Sequence, residues 1–198
     1  MLNPFFGVSF HPVIKLPATY EVYDLSSGYD PHRTLSGPYG IGKYNERRVG
    51  MYTDKELFAG EHRDIHIGID IAAPVGTEVY SFYDGEIFLF GVNSAEGDYG
   101  PTLITRHLIG DRELYALFGH LQTDSLEKKR PGQKISRGES IARVGNKSEN
   151  GGWNPHLHFQ LSWEKPNKPD MPGAVNERDL QSALETYPDP RLVLGPLY

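Results

Sequence analysis

The clearest pattern in the chain runs from Ile65 to Ile71. Ile65, Ile67, Ile69 and Ile71 fall on one side of an extended backbone, and His66, Gly68 and Asp70 on the other. A period of two built on β-branched residues predicts a half-buried strand. The alternation returns from His156 to Trp163, with Leu157, Phe159 and Leu161 on one side and His156, His158 and Gln160 on the other. Between these runs, Glu78 to Tyr83 and Glu86 to Val92 flank Asp84-Gly85, and Thr102 to His107 and Glu113 to Phe118 flank Gly110-Asp111. Both pairs read as hairpins joined by two-residue turns. Pro131-Gly132, Arg137-Gly138 and Gly145-Asn146 punctuate short strands around Ile135 and Ile141 to Val144. Tyr80, Phe82, Phe88, Phe90 and Trp163 lie on strand patterns and are expected in the core.

The pattern divides the chain into three zones. Residues 1–60 are rich in Gly, Pro, Tyr and Ser, as in Ser36-Gly37-Pro38-Tyr39-Gly40, and predict a loop-rich N-terminal extension wrapped on a core. Its aromatic content argues against disorder. Residues 61–165 form the β core. Residues 166–198 predict a Pro-rich linker, a short C-terminal helix from Asn176 to Tyr187, and an apolar tail packed on the core. Asn176 is its expected N-cap, Leu180, Ala183 and Leu184 share one face, and Pro188 ends it. The expected fold class is mainly β, an antiparallel sheet with these two additions.

Composition narrows the function classes. With 198 residues the chain is long enough for one domain with a core and extensions. Its net charge of -6 argues against nucleic acid and anionic membranes as partners. No apolar run approaches membrane-spanning length. Cysteine is absent, which removes thiolate ligands and leaves the redox compartment open. No Lys or Arg precedes the first apolar stretch, and Pro4 and Pro12 interrupt it. It does not read as a signal peptide. A cytoplasmic location is the default expectation, with the periplasm or the exterior as the alternative.

The polar faces of the two alternating runs carry three histidines and a carboxylate. Zinc takes imidazole nitrogen and carboxylate oxygen in a tetrahedral shell, and a catalytic zinc needs three protein ligands and one open position. His66 and Asp70 share a face, yet four residues of straight strand span roughly 13 Å. Two ligands of one ion cannot be that far apart, so the strand must bend, and Gly68 permits it. His156 and His158 stand about 7 Å apart along one face. One suits a metal while the other reaches a water on it. His120, after Leu117-Phe118-Gly119, joins His156 as a candidate for moving a proton and steadying an oxyanion. His107 reads as a solvated strand residue, and His62 and Asp64 as a charged loop. His11 and His32 have no supporting context. Trp153, in the Gly/Asn loop before His156, suits substrate stacking and core capping equally.

These motifs resemble the M23 metallopeptidases, the lysostaphin and LytM-type endopeptidases. His66-Ile67-Gly68-Ile69-Asp70 stands for the family's His-x-x-x-Asp, Phe118-Gly119-His120-Leu121 for its Tyr-x-His-Leu, and His156-Leu157-His158 for its His-x-His. Gly76-Thr77-Glu78-Val79-Tyr80, Pro131-Gly132-Gln133-Lys134-Ile135 and Val144-Gly145 match the connecting text. The resemblance implies the duplicated-hybrid-motif-like β fold of that family, with a cleft along one sheet face. It implies a zinc ion on His66, Asp70 and His158, a catalytic pair His120 and His156, and hydrolysis of peptide bonds in peptidoglycan cross-links or similar small-residue peptides. The chain departs from the family pattern at Phe118, where Tyr is usual, and at Gly145 to Pro155, a longer loop than usual. No SH3-like wall-binding domain is visible. Some relatives place an asparagine of an N-terminal segment on the metal. Asn45 is the candidate for that role, with an ordinary loop residue as the stronger reading. Two other function classes are a metal-holding but non-catalytic binding or regulatory module and a IIA-type phosphocarrier. Asp70 and the His-x-His pair argue against the carrier. Oligomeric state is not legible in the sequence.

Overall fold

The alternating runs assemble into one large sheet with two small ones beside it. The computed structural model describes residues 5, 7–28, 30, 37–52 and 62–198. The strands are β1 (Glu21–Val22), β2 (Gly40–Gly42), β3 (Glu46–Arg47), β4 (Ile65–His66), β5 (Ile69–Ala72), β6 (Glu78–Tyr80), β7 (Gly85–Asn93), β8 (Gly100–Ile109), β9 (Arg112–Gly119), β10 (Lys134–Ile135), β11 (Ser140–Arg143), β12 (His156–Ser162) and β13 (Ala174–Val175). Two short helices follow, α1 (Leu180–Thr186) and α2 (Arg191–Leu194). The main sheet has the order β1-β2-β5-β12-β9-β8-β7-β10, and β13-β4-β3 and β11-β6 form the small sheets. Among the described residues all pairings are antiparallel except β1 with β2. The expected mainly β, antiparallel fold is the observed one.

The isoleucine run is not a single strand. It breaks at Ile67 and Gly68, and its halves enter different sheets. Ile65 and Ile67 pack with Val175 and Ala183, while Ile69 and Ile71 enter the main core with Leu157, Phe159 and Leu161. Gly68 makes the break with φ +137°, a backbone state that L side chains rarely adopt. The bend required by metal geometry is therefore present at the expected residue.

The hairpin β8-β9 forms with Gly110-Asp111 as its turn, Ile109 facing Arg112. The Asp84-Gly85 hairpin does not form. β6 pairs with β11, and β7 pairs with β8 and β10. Phe82, fully buried, turns inward between β6 and β7 and carries the chain from the small sheet to the large one. Local turn chemistry gave way to burial of an aromatic ring.

The segment before the core supplies strands to the main sheet and to the three-stranded one. β2 adds to β5, and β3 adds to β4. Helix α1 begins at Leu180, later than the sequence pattern suggests. Asn176 caps the turn before it, its Oδ1 accepting the Asp179 amide at 2.9 Å. Ala183 of α1 is buried, with Leu180 and Leu184 beside it. Val193 of α2 enters the main core, and Leu197 packs against it. The sequence pattern did not reveal α2, which is a single turn.

The fold also corrects the reading of His107. It is 1% exposed, not solvated. Its ring lies 4.2 Å from that of Phe82, with Nε2 2.6 Å from Thr105 Oγ1 and Nδ1 3.1 Å from the Asp84 carbonyl. Burial pushes its pKa down to about 4. His62 is exposed, Asp64 pairs with Arg47, and His11 packs on Tyr80. His32 lies outside the described residues.

Candidate metal centre

Four strands, β4, β5, β9 and β12, deliver the polar side chains to one place. Asp70 on β5 lies directly across from His158 on β12 and from Gly42 on β2. His66, at the end of β4, is turned back toward them by the Gly68 bend. His158 also faces Gly119, the last residue of β9, so His120 emerges beside it. His120 holds φ +63°, uncommon for a residue with a side chain and found where surrounding structure imposes it. Its amide donates to the Tyr99 carbonyl at 2.9 Å.

Three candidate donor atoms form a tight triangle. His66 Nε2 lies 3.1 Å from His158 Nδ1 and 3.3 Å from Asp70 Oδ1, and His158 Nδ1 lies 3.0 Å from that same oxygen. A tetrahedral zinc with ligands at about 2.0–2.1 Å has ligand-to-ligand edges of roughly 3.3 Å. The triangle has the size of one face of that tetrahedron, and two imidazoles with one carboxylate have its chemistry.

The remaining ring nitrogens settle the tautomers. Backbone carbonyls only accept, so a ring nitrogen bonded to one must carry the hydrogen. His66 Nδ1 donates to the Lys43 carbonyl at 3.0 Å, His120 Nδ1 to Asn150 at 2.9 Å and His156 Nδ1 to Asn154 at 2.7 Å. Each keeps Nε2 as its basic atom. His158 is the reverse case. Gln160 directs its Nε2 at the Pro172 carbonyl at 3.4 Å, which turns its Oε1 toward His158 Nε2 at 3.0 Å. His158 therefore donates from Nε2 and leaves Nδ1 for a metal. Such partners orient ligand histidines and raise their basicity.

His156 and His120 stand beside the triangle. Their rings are 4.2 Å apart, and His156 Nε2 lies 3.7 Å from Asp70 Oδ1. Burial pushes both their pKa values down, and neighbouring histidines push that of His120 further. His66 is driven down to about 4 by burial and then by the Arg48 guanidinium. Burial alone would raise the Asp70 carboxyl, but His66 and Arg48 outweigh it and hold it well below the usual carboxylate range. Burial thus disfavours the charged form of His66, His120 and His156 while Asp70 is held as the carboxylate, the state a dication requires.

The cleft over these groups measures about 460 Å³, and Arg48, Tyr52, Tyr99, Trp153, Lys168 and Asp170 are among the residues that line it. Trp153 stands at the cleft, its ring 6.2 Å from that of Tyr52. Asn45 is an exposed turn residue outside the cleft lining. Phe118 points away from the cleft into the core, its ring 5.2 Å from that of Phe159. A tyrosine hydroxyl lost there takes nothing from the site. Sequence reasoning missed Arg48, Tyr99 and Gln160. Only Gln160 left a signal, two residues after His158 on the same strand face.

A family model described as peptidase family M23 matches residues 64–170, more than half of the chain. The chain belongs to peptidase family M23. The expectation of this family and of its hydrolase class is met. Among its M23 relatives is the peptidoglycan DD-endopeptidase ShyA of Vibrio cholerae, 36% identical in an alignment of 101 residues that covers 48% of this chain and 20% of ShyA. Another is the DD-carboxypeptidase/endopeptidase Mpg of Neisseria meningitidis, 38% identical over 96 residues, again 48% of this chain and 20% of the relative. The chain spans about a fifth of the length of these relatives. The catalytic domain of lysostaphin from Staphylococcus simulans shares the fold. It superposes with a TM-score of 0.51 at 20% identity, over 80% of this chain and 93% of that domain.

Proposed function

We propose that this chain is a zinc-dependent endopeptidase acting on peptide cross-links of peptidoglycan. One observation carries the reading: three donor atoms with edges of 3.0–3.3 Å, each with its tautomer or charge already suited to a metal. The peptidoglycan substrate rests on the kinship with M23 DD-endopeptidases.

In this reading His66, Asp70 and His158 hold the ion. A bound zinc lowers the pKa of a water and polarises a carbonyl. The chain's own groups do the rest. His156 and His120 each present Nε2 as a neutral base, because a backbone carbonyl occupies Nδ1 and burial disfavours the charged ring. One takes the proton of the attacking water at Nε2. The resulting imidazolium steadies the negative oxygen and returns the proton to the leaving amine. Trp153 and Tyr52 form an aromatic wall of the cleft beside these groups and orient the peptide.

Metal analysis of the purified protein, with a digest of cross-linked muropeptides with and without chelator, tests the reading. Zinc at one equivalent and cleavage that chelator stops are expected. Asp70→Ala and His158→Ala should each lose both zinc and cleavage. Full cleavage by a metal-free Asp70→Ala protein would sink the proposal.

A further inference from the structure

The two oxygens of Asp70 have different partners. Oδ1 belongs to the donor triangle, while Oδ2 lies 2.6 Å from Arg48 Nη1. Arg48 is 1% exposed and follows β3, outside the stretch that matches the family model. Its setting is built around the guanidinium. Nη1 also lies 3.2 Å from the Tyr52 hydroxyl, Nε lies 3.4 Å from Glu46 Oε2, and Nη2 lies 3.5 Å from the Lys43 carbonyl. Gly42, across from Asp70, leaves the necessary space, since a Cβ there would stand 2.7 Å from Nη2. The Lys43 carbonyl that accepts from Arg48 also accepts from His66 Nδ1. One short segment therefore steadies two of the three candidate ligands.

We propose that Arg48 is a positioning residue that restricts Asp70 to metal donation through Oδ1 alone. The inference rests on the zinc reading above. A carboxylate beside a dication binds through one oxygen or both, and zinc readily expands from four ligands to five. With Oδ2 tied by a charged, part-buried hydrogen bond, the second oxygen stays off the metal. The metal would then keep four neighbours: the two imidazoles, Oδ1 and one water. Arginine suits the task because it stays charged when buried and its planar fork meets several acceptors at once.

Two measurements test this. In the zinc-loaded wild type, K-edge X-ray absorption should show four nitrogen or oxygen neighbours at about 2.0–2.2 Å. Five would overturn the inference, whatever any variant does. The second uses Glu46→Gln/Arg48→Met, which removes the guanidinium without stranding the Glu46 carboxylate. Its cobalt(II) form should show the weaker visible bands of five-coordination, against the intense four-coordinate bands of the wild type, and should lose cleavage while still binding metal. Unchanged cobalt bands with only a lower melting temperature of the metal-free protein would mean a merely structural role and overturn it. A wild type that binds neither zinc nor cobalt would instead overturn the metal reading beneath it.

Discussion

Gly68→Ala isolates the bend that makes the site. A Cβ at Gly68 would stand 2.5 Å from His158 Cε1 and 2.6 Å from its Nε2. The backbone sits at φ +137°, so alanine also brings conformational strain. Strain of this kind costs about 1–3 kcal/mol. Overpacking against a buried ring adds about 1–3 kcal/mol. A combined loss near 3 kcal/mol lowers Tm by about 6–12 °C in a chain of this size. His158 must also move, which separates Nδ1 from the triangle and weakens zinc binding by about 10–100-fold. Gly76→Ala is the control, with φ +82° and nothing within 4 Å of its Cβ. It should lose stability through strain but keep its zinc affinity. Thermal unfolding of the metal-free proteins and zinc titration against a chromophoric chelator give both numbers. A Gly68→Ala protein with wild-type zinc affinity would refute the argument that this glycine brings His66, Asp70 and His158 together.

Two further predictions concern buried polar side chains. Gln160→Leu removes the nearer acceptor of His158 Nε2, leaving only the Tyr99 hydroxyl at 3.4 Å, and should weaken zinc binding by about 10–100-fold, whereas Gln160→Glu, which still accepts, should retain it. Equal affinity in the Leu variant would show that Gln160 does not set the tautomer. His107, with a pKa near 4 folded against an ordinary 6.5, is neutral in the fold at pH values where the unfolded chain is protonated. Its contribution is complete above pH 6.5 and is lost as pH falls toward 4, about 3 kcal/mol in all. Urea unfolding of the metal-free protein at pH 7 and pH 4.5 should show a smaller acid loss in His107→Gln, and an identical loss in both proteins would contradict the assignment.

Much of the site was legible because strand alternation is a local property. His156 and His158 stand on one face of β12 because a strand repeats every two residues, and Gly68 was marked because two ligands cannot sit a full strand segment apart. The Gly110-Asp111 turn was equally local, and it formed. Asp84-Gly85 had the same local signal, yet Phe82 decided otherwise by entering the core. His107 looked like a surface residue because the alternation does not say which face a second layer covers.

The sequence by itself determined the chemistry: two alternating runs that carry three histidines, a carboxylate among β-branched residues, and a glycine where the chain had to turn. The tertiary structure decided how that chemistry is wired. Which nitrogen of each ring is free depends on the carbonyls of Lys43, Asn150 and Asn154 and on the Gln160 amide. Which oxygen of Asp70 faces the cluster depends on Arg48, 22 residues away. Hydrogen-bond partners are chosen by proximity across strands, and proximity between distant segments has no period that a sequence displays.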